Sequence, residues 1–145
     1  MRILIIEDEQ PASTRLKKLL LEAEPEAIIL DEIVSVKSAV DWFKNHSQPD
    51  LVFMDIAMPG KSGLEVIREL PSIDFEIIFV TAHIEYTIQA FKFSAVDYLL
   101  KPVDELSLID AVSRAEAKIK AGQLNKNLET LIYNLHQQKK TNDLK

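Results

Sequence analysis

The chain has 145 residues, 47% of them hydrophobic and 28% charged, with a net charge of −6 and no cysteine. This length suits one domain with a complete core, and the lack of cysteine excludes a disulfide framework, thiol chemistry and any cysteine zinc site. Residues 120–145 hold five lysines against Glu129 and Asp143, a net +3 that leaves −9 on the rest; an acidic body of this kind lacks the basic footprint that direct DNA binding requires. No apolar stretch approaches transmembrane length, so no membrane partner is expected. Met1-Arg2 leads directly into an apolar run, so no signal peptide is expected and the location is expected to be cytoplasmic.

Arg2 to Ile6 is a short apolar run that meets Glu7-Asp8 and predicts a first strand. Pro11 suits the first turn of a helix, and Ala12 to Ala23 places Leu16, Leu19, Leu20 and Ala23 on one face. Ala27 to Val34 predicts a second strand, with no reactive group at its end. Ser35 then reads as the N-cap of a helix from Val36 to His46 with Val36, Ala39, Val40 and Phe43 as its apolar face. The third run, Leu51 to Met54, stops at Asp55 and precedes a short helix from Gly63 to Leu70. Glu76 to Val80 ends at Thr81 and precedes a helix from Tyr86 to Phe93. Ala95 to Leu100 ends at Lys101-Pro102, and the longest helix follows from Asp104 to Ile119 with Leu108, Val112, Ala115 and Ile119 as its stripe. Gly122 is expected to interrupt it. Leu124, Leu128, Leu131 and Leu135 follow a 4-3-4 spacing suited to a further amphipathic helix, though two heptads are too few to define a coiled coil. The polar stretch from His136 to Lys145 is expected to be frayed or disordered. The expected organisation is a domain over residues 1–120 and a C-terminal linker over 121–145.

Continuous apolar runs bounded by polar residues fit strands buried on both faces, as in a parallel sheet. Five alternating strand and helix units imply right-handed crossovers and a three-layer α/β sandwich. In open parallel sheets, ligands bind at the carboxyl ends of the strands. Glu7, Asp8, Asp55, Thr81 and Lys101 are therefore expected along one edge of one sheet.

Three crowded carboxylates repel unless a cation sits among them. Mg²⁺ suits such a set because it takes few protein carboxylates, retains waters and accepts phosphate oxygens. Glu7, Asp8 and Asp55 against Lys101 leave a local charge that one Mg²⁺ neutralises. Asp55 could then attack an activated phosphorus to form an aspartyl phosphate. The metal and Lys101 would offset charge developing on the transferred oxygens, and the Thr81 hydroxyl would donate to the new phosphoryl group. Taken singly, each residue has a simpler explanation. Glu7 and Asp8 could complement a helix dipole, Asp55 could form a turn before Pro59-Gly60, Thr81 could be an N-cap, and Lys101 could be a solvated charge. Their joint occurrence on four strand ends outweighs these readings. His46, His83 and His136 have no ligand-like spacing. No Gly-x-Gly-x-x-Gly or P-loop follows the first strand.

The motifs Ile5-Ile6-Glu7-Asp8-Glu9, Asp50 to Gly60, Phe79-Val80-Thr81-Ala82 and Asp97-Tyr98-Leu99-Leu100-Lys101-Pro102 resemble the receiver domains of two-component response regulators over residues 1–120. Thr81 to Tyr86, Ala90-Phe91 and Ala95 to Tyr98 are most similar to the LytTR (LytR/AlgR) subgroup. The resemblance implies a flavodoxin-like (βα)5 sandwich with strand order 2-1-3-4-5. It implies that Asp55 accepts phosphoryl from a histidine kinase, and that Glu7, Asp8, Asp55 and the backbone carbonyl of Ala57 hold Mg²⁺. Thr81 and Lys101 would contact the phosphoryl group, the latter over a cis peptide to Pro102. Tyr98 would be the aromatic switch coupled to Thr81. Homodimerisation through the fourth helix, fifth strand and fifth helix would be the output, acting on transcription through a DNA-binding domain absent from this chain.

Glu7 departs from the more common aspartate, keeping the charge on a side chain one methylene longer. Ala57 and His83, each two residues past a site residue, occupy positions thought to tune phosphoryl lifetime. Because nothing here could fold as the DNA-binding domain, the chain is expected to be a fragment, with a stand-alone receiver acting through protein contacts as the alternative. An aspartyl-phosphate phosphatase of the haloacid-dehalogenase type is the enzyme alternative, disfavoured because its Asp-x-Asp lies on a first strand and Ala57 stands at the second acidic position. A pseudo-receiver that only mediates association is disfavoured by the five retained site groups. The expected role is thus a signalling domain rather than a turnover enzyme.

Overall fold

A computed structural model of the chain describes residues 1–83 and 97–143. Five parallel strands, β1 (Arg2–Ile6), β2 (Ile28–Ile33), β3 (Leu51–Asp55), β4 (Glu76–Thr81) and β5 (Asp97–Leu100), form one sheet in the order β2-β1-β3-β4-β5. This is the expected order 2-1-3-4-5, with β2 at the edge beside β1, where the Ile33 carbonyl accepts from the Glu7 N–H at 2.8 Å but no β2 side chain joins the acidic cluster. Helices α1 (Gln10–Ala23), α2 (Val36–Asn45), α3 (Leu64–Glu69) and a C-terminal helix (Glu105–Asp143) accompany it. The helix expected from Tyr86 to Phe93 lies outside the described residues.

The alternation of side chains along a strand divides the apolar runs into two cores. Leu4, Ile6, Val52, Met54, Ile77 and Phe79 face α2 and α3. Ile3, Ile5, Leu51, Phe53, Ile78 and Val80 face the opposite way, toward Leu16 and Leu20 of α1 and Leu108, Ala111, Val112 and Ala115 of the C-terminal helix. The outcome is a three-layer sandwich in which β1, β3 and β4 are buried on both sides.

Local signals set the helix starts. Ser35 Oγ accepts from the Ser38 N–H at 3.1 Å and caps α2. Pro11 occupies the first turn of α1, which begins at Gln10 rather than at Ala12. Glu9 stands at its N-cap without a side-chain cap, so Glu7 and Asp8 do not cap this helix. The C-terminal helix departs most from expectation. It runs without a break through Gly122 and through His136 to Asp143, where the sequence suggested an interruption and then a frayed end. A glycine inside a helix costs only about 1 kcal/mol. Good helix formers on both sides, including Lys118, Lys120, Gln123 and Leu124, are enough to carry the helix across it. No helix among the described residues is long and apolar enough to cross a membrane.

Candidate functional site

The carboxyl ends of β1, β3, β4 and β5 bring the expected residues to one edge of the sheet. Glu7 follows β1 directly and is 5% exposed, while Asp55 ends β3 and is 4% exposed. Asp8 is partly buried next to Glu7. Each of the three offers a carboxylate oxygen within 4.8 Å of the other two. Lys101, just past β5, reaches between two of them: its Nζ lies 2.5 Å from Glu7 Oε1 and 2.9 Å from Asp55 Oδ2.

Asp55 is held at both oxygens. Its Oδ1 accepts from the Ala57 N–H at 2.9 Å, and its Oδ2 accepts from Lys101. Ala57 lies on the loop after β3 and bridges Ser62 across it. Thr81 is 1% exposed at the end of β4, one register step beyond the Asp55–Val80 pair. Its Oγ1 accepts from the His83 N–H at 3.1 Å, and its carbonyl accepts from the Lys101 N–H at 2.8 Å. That last bond ties the lysine to the threonine strand. The Lys101–Pro102 peptide is cis. Tyr98 is not part of the carboxylate cluster. It pairs in register with Phe79, is half-buried, and packs against the core on the α2–α3 side.

The electrostatics reflect an excess of negative charge. Burial pushes the Glu7 carboxyl above its ordinary range; Lys101 offsets part of that rise and Asp55 adds to it. Asp8 is raised as well, first by burial and then by neighbouring Glu7. Burial alone would lower Lys101, but its hydrogen bonds to Glu7 and Asp55 outweigh that and hold the ammonium above its usual value. One lysine is therefore shared by two buried acids, with a third acid beside them. An all-oxygen, strongly anionic set with one partly exposed member fits a hard divalent cation such as Mg²⁺. Asp55 combines a carboxylate with a nearby ammonium, as a nucleophile toward phosphorus requires. Beside the site, a groove of about 440 Å³ runs along Pro11, Arg15, Ala82, Lys101 and Pro102.

Sequence reasoning missed Gly63. A Cβ at this position would lie 2.0 Å from the Asp55 carbonyl oxygen, and the Gly63 N–H donates to the Ile56 carbonyl at 2.7 Å. The only sequence signal was a glycine at the start of a short helical pattern. Its closeness to Asp55 follows from the fold of the intervening loop.

Comparison with known proteins agrees with this geometry. The response regulatory domain of protein mrkE from Klebsiella pneumoniae superposes with a TM-score of 0.75 at 25% identity, covering 83% of this chain and 99% of that one. Response regulator TrrA from Thermotoga maritima, crystallised in complex with Mg²⁺–BeF, gives a TM-score of 0.66 at 32% identity, covering 79% of this chain and 97% of that one. An uncharacterized response regulatory protein of Vibrio cholerae is 41% identical over 114 residues, which are 77% of this chain and 46% of that protein. The sensory transduction protein LytT of Bacillus cereus is 34% identical over 116 residues, 79% of this chain and 46% of that protein. The chain thus spans about half the length of the curated relatives it matches. The profile of the response regulator receiver domain matches residues 3–113. With the profile and the five-stranded sheet covering the same residues, the chain belongs to the family of response regulator receiver domains.

Proposed function

We propose that Asp55 accepts a phosphoryl group from the phosphohistidine of a partner kinase. The observation that carries this reading is the shared Lys101 ammonium, 2.5 Å from Glu7 and 2.9 Å from Asp55, within a cluster of three carboxylates at the strand ends. An Asp55 carboxylate oxygen forms a bond to phosphorus as the phosphorus–nitrogen bond to the donor imidazole breaks, and the electron pair of that bond leaves with the imidazole nitrogen. Glu7, Asp8, Asp55 and the Ala57 carbonyl would hold Mg²⁺, which when bound supplies positive charge for the phosphoryl oxygens. Lys101 then neutralises charge on the transferred oxygens, and the Thr81 hydroxyl donates to one of them.

Phosphorylation replaces one carboxylate charge with about −1.5 to −2. Drawing Thr81 toward the phosphoryl group would bias the packing at Tyr98, two residues before the Leu100 that pairs with Thr81. The output is dimerisation through β5 and the N-terminal part of the C-terminal helix, together with the fourth helix expected from the sequence, which lies outside the described residues. In a longer protein, residues from about 121 onward would link the receiver to a LytTR DNA-binding domain that acts on transcription in the cytoplasm. The LytT relatives support that assignment.

The test is labelling by a small phosphodonor such as acetyl phosphate, with and without Mg²⁺. One phosphoryl per chain is expected, dependent on Mg²⁺ and absent in Asp55→Asn. Undiminished labelling of Asp55→Asn would overturn the assignment, and continuous turnover of phosphomonoesters would favour a phosphatase instead.

A further inference from the structure

The C-terminal helix carries a second apolar stripe, remote from Asp55. Leu124, Leu128, Leu131 and Leu135 are 60%, 48%, 54% and 54% exposed. With 3.6 residues per turn, these leucines centre about 160° around the helix axis from Leu108, Val112, Ala115 and Ile119, the stripe that docks on the sheet. The helix is continuous between the two stripes. The domain therefore cannot cover the second stripe while the first stays docked. Ile132, also exposed and beside the leucines on the helix surface, widens the patch, and a contiguous apolar surface of this sort marks an interaction site.

The sequence around the stripe indicates what covers it. Ala117 and Ala121 continue the same 4-3-4 phase toward the domain, and Gln138 continues it the other way, giving about three heptads. The positions flanking the seam between Leu124 and Leu135 are Asn125, Asn127, Ile132 and Asn134. None of these is charged, and the lysines that flank the alanine layers, Lys118 and Lys120, face Ser113 and Asn125 of the second copy in parallel pairing, so no like charges pair across the seam. A two-fold axis along the seam makes the surface self-complementary. In parallel register every layer is matched: alanine meets alanine, leucine meets leucine, and Gln138 meets Gln138 with both amides able to hydrogen-bond. An antiparallel alignment centred on the leucines would set Gln138 against Ala121 and leave each amide facing a methyl group.

We propose that residues 117–138 form a parallel two-stranded coiled coil with a second copy of this chain, through a contact that does not depend on phosphorylation. The test uses the unphosphorylated 145-residue chain. Sedimentation equilibrium is expected to show the mass rising with concentration from 16.5 kDa toward twice that value. The double variant Leu128→Asp/Leu131→Asp, altered only at exposed positions, is expected to stay at one chain with an unchanged melt in dilute solution. Because the chain has no cysteine, Leu124→Cys and Leu135→Cys report the register. Each alone is expected to form a disulfide-linked dimer under oxidised glutathione. A single-chain mass at every concentration, a three-chain mass, or a dimer that survives the double variant would overturn the proposal. So would cross-linking seen only when the two cysteine variants are mixed, which marks an antiparallel pair. Asp55→Asn is expected to dimerise as the parent does, which keeps this result separate from that of the phosphoacceptor reading; loss of the dimer there would refute its independence.

Discussion

Gly63→Ala is expected to damage both the stability of the strand that ends at Asp55 and the chemistry proposed for it. Gly63 sits at φ −55°, ψ −25°, a conformation open to any residue, so the difficulty is space alone. The added Cβ would lie 2.0 Å from the Asp55 carbonyl oxygen, 3.1 Å from its carbonyl carbon and 3.2 Å from Met54 Cγ. Ordinary contact begins near 3.4 Å, so the two segments must separate by more than about 1 Å. The Gly63–Ile56 hydrogen bond and the Ala57–Ser62 bridge resist that separation, and Met54 is fully buried behind it. Overpacking of this kind costs about 1–3 kcal/mol, or roughly 3–10 °C in Tm for a domain of this size. The displaced carbonyl is that of Asp55, so its carboxylate also shifts against Lys101, and a misplacement of about 1 Å can slow a reaction about 10²-fold. Urea unfolding followed by circular dichroism measures the first effect, and the rate of Mg²⁺-dependent labelling by acetyl phosphate measures the second. A Gly63→Ala chain that unfolds at the parental midpoint and labels at the parental rate would refute the reasoning.

Other substitutions and conditions probe the remaining features. Lys101→Met removes the cation shared by Glu7 and Asp55; it should destabilise the metal-free chain by up to about 3–5 kcal/mol, with Mg²⁺ restoring part of the loss in thermal melts. Glu7 and Asp8 both titrate above their ordinary values of 4.5 and 3.8, so their contribution to the stability of the metal-free chain is intact below those values. It is lost as pH rises through the raised ones. Mg²⁺ held as proposed would bind the ionised acids, so the Tm gain from adding it should grow from pH 4 to pH 7; a gain independent of pH would contradict the assignment of these ligands. Phe79→Ala empties a fully buried position in the core facing α2 and α3 and should cost about 3–5 kcal/mol, read as a lower urea midpoint. Ser35→Ala removes the cap on Ser38 N–H and should cost about 1 kcal/mol while leaving labelling unchanged.

Much of this architecture is written in local pattern. Five short apolar runs joined by amphipathic segments can bury themselves only as a parallel sheet between helix layers, and the polar residues that stop those runs then fall along one edge. Glu7, Asp8, Asp55, Thr81 and Lys101 could be selected from the sequence for that reason, because strand ends are local features. The capping of α2 by Ser35 was equally local.

Other features depended on contacts between distant segments. The sharing of Lys101 between Glu7 and Asp55 brings together residues 94 and 46 positions apart in the sequence, and only the register of β1, β3, β4 and β5 sets those distances. The closeness of Gly63 to the Asp55 carbonyl depends on how the loop after β3 closes, which no spacing rule reports. Gly122 shows the converse error. Treated alone it reads as a break, but docking of Leu108, Val112 and Ala115 on the sheet anchors one end of the helix, and the residues beyond favour helix strongly enough to continue it. Chain pattern determined which residues stand at the ends of the strands. Tertiary packing decided which of them touch, because contact energies are set by distances that span the whole sheet.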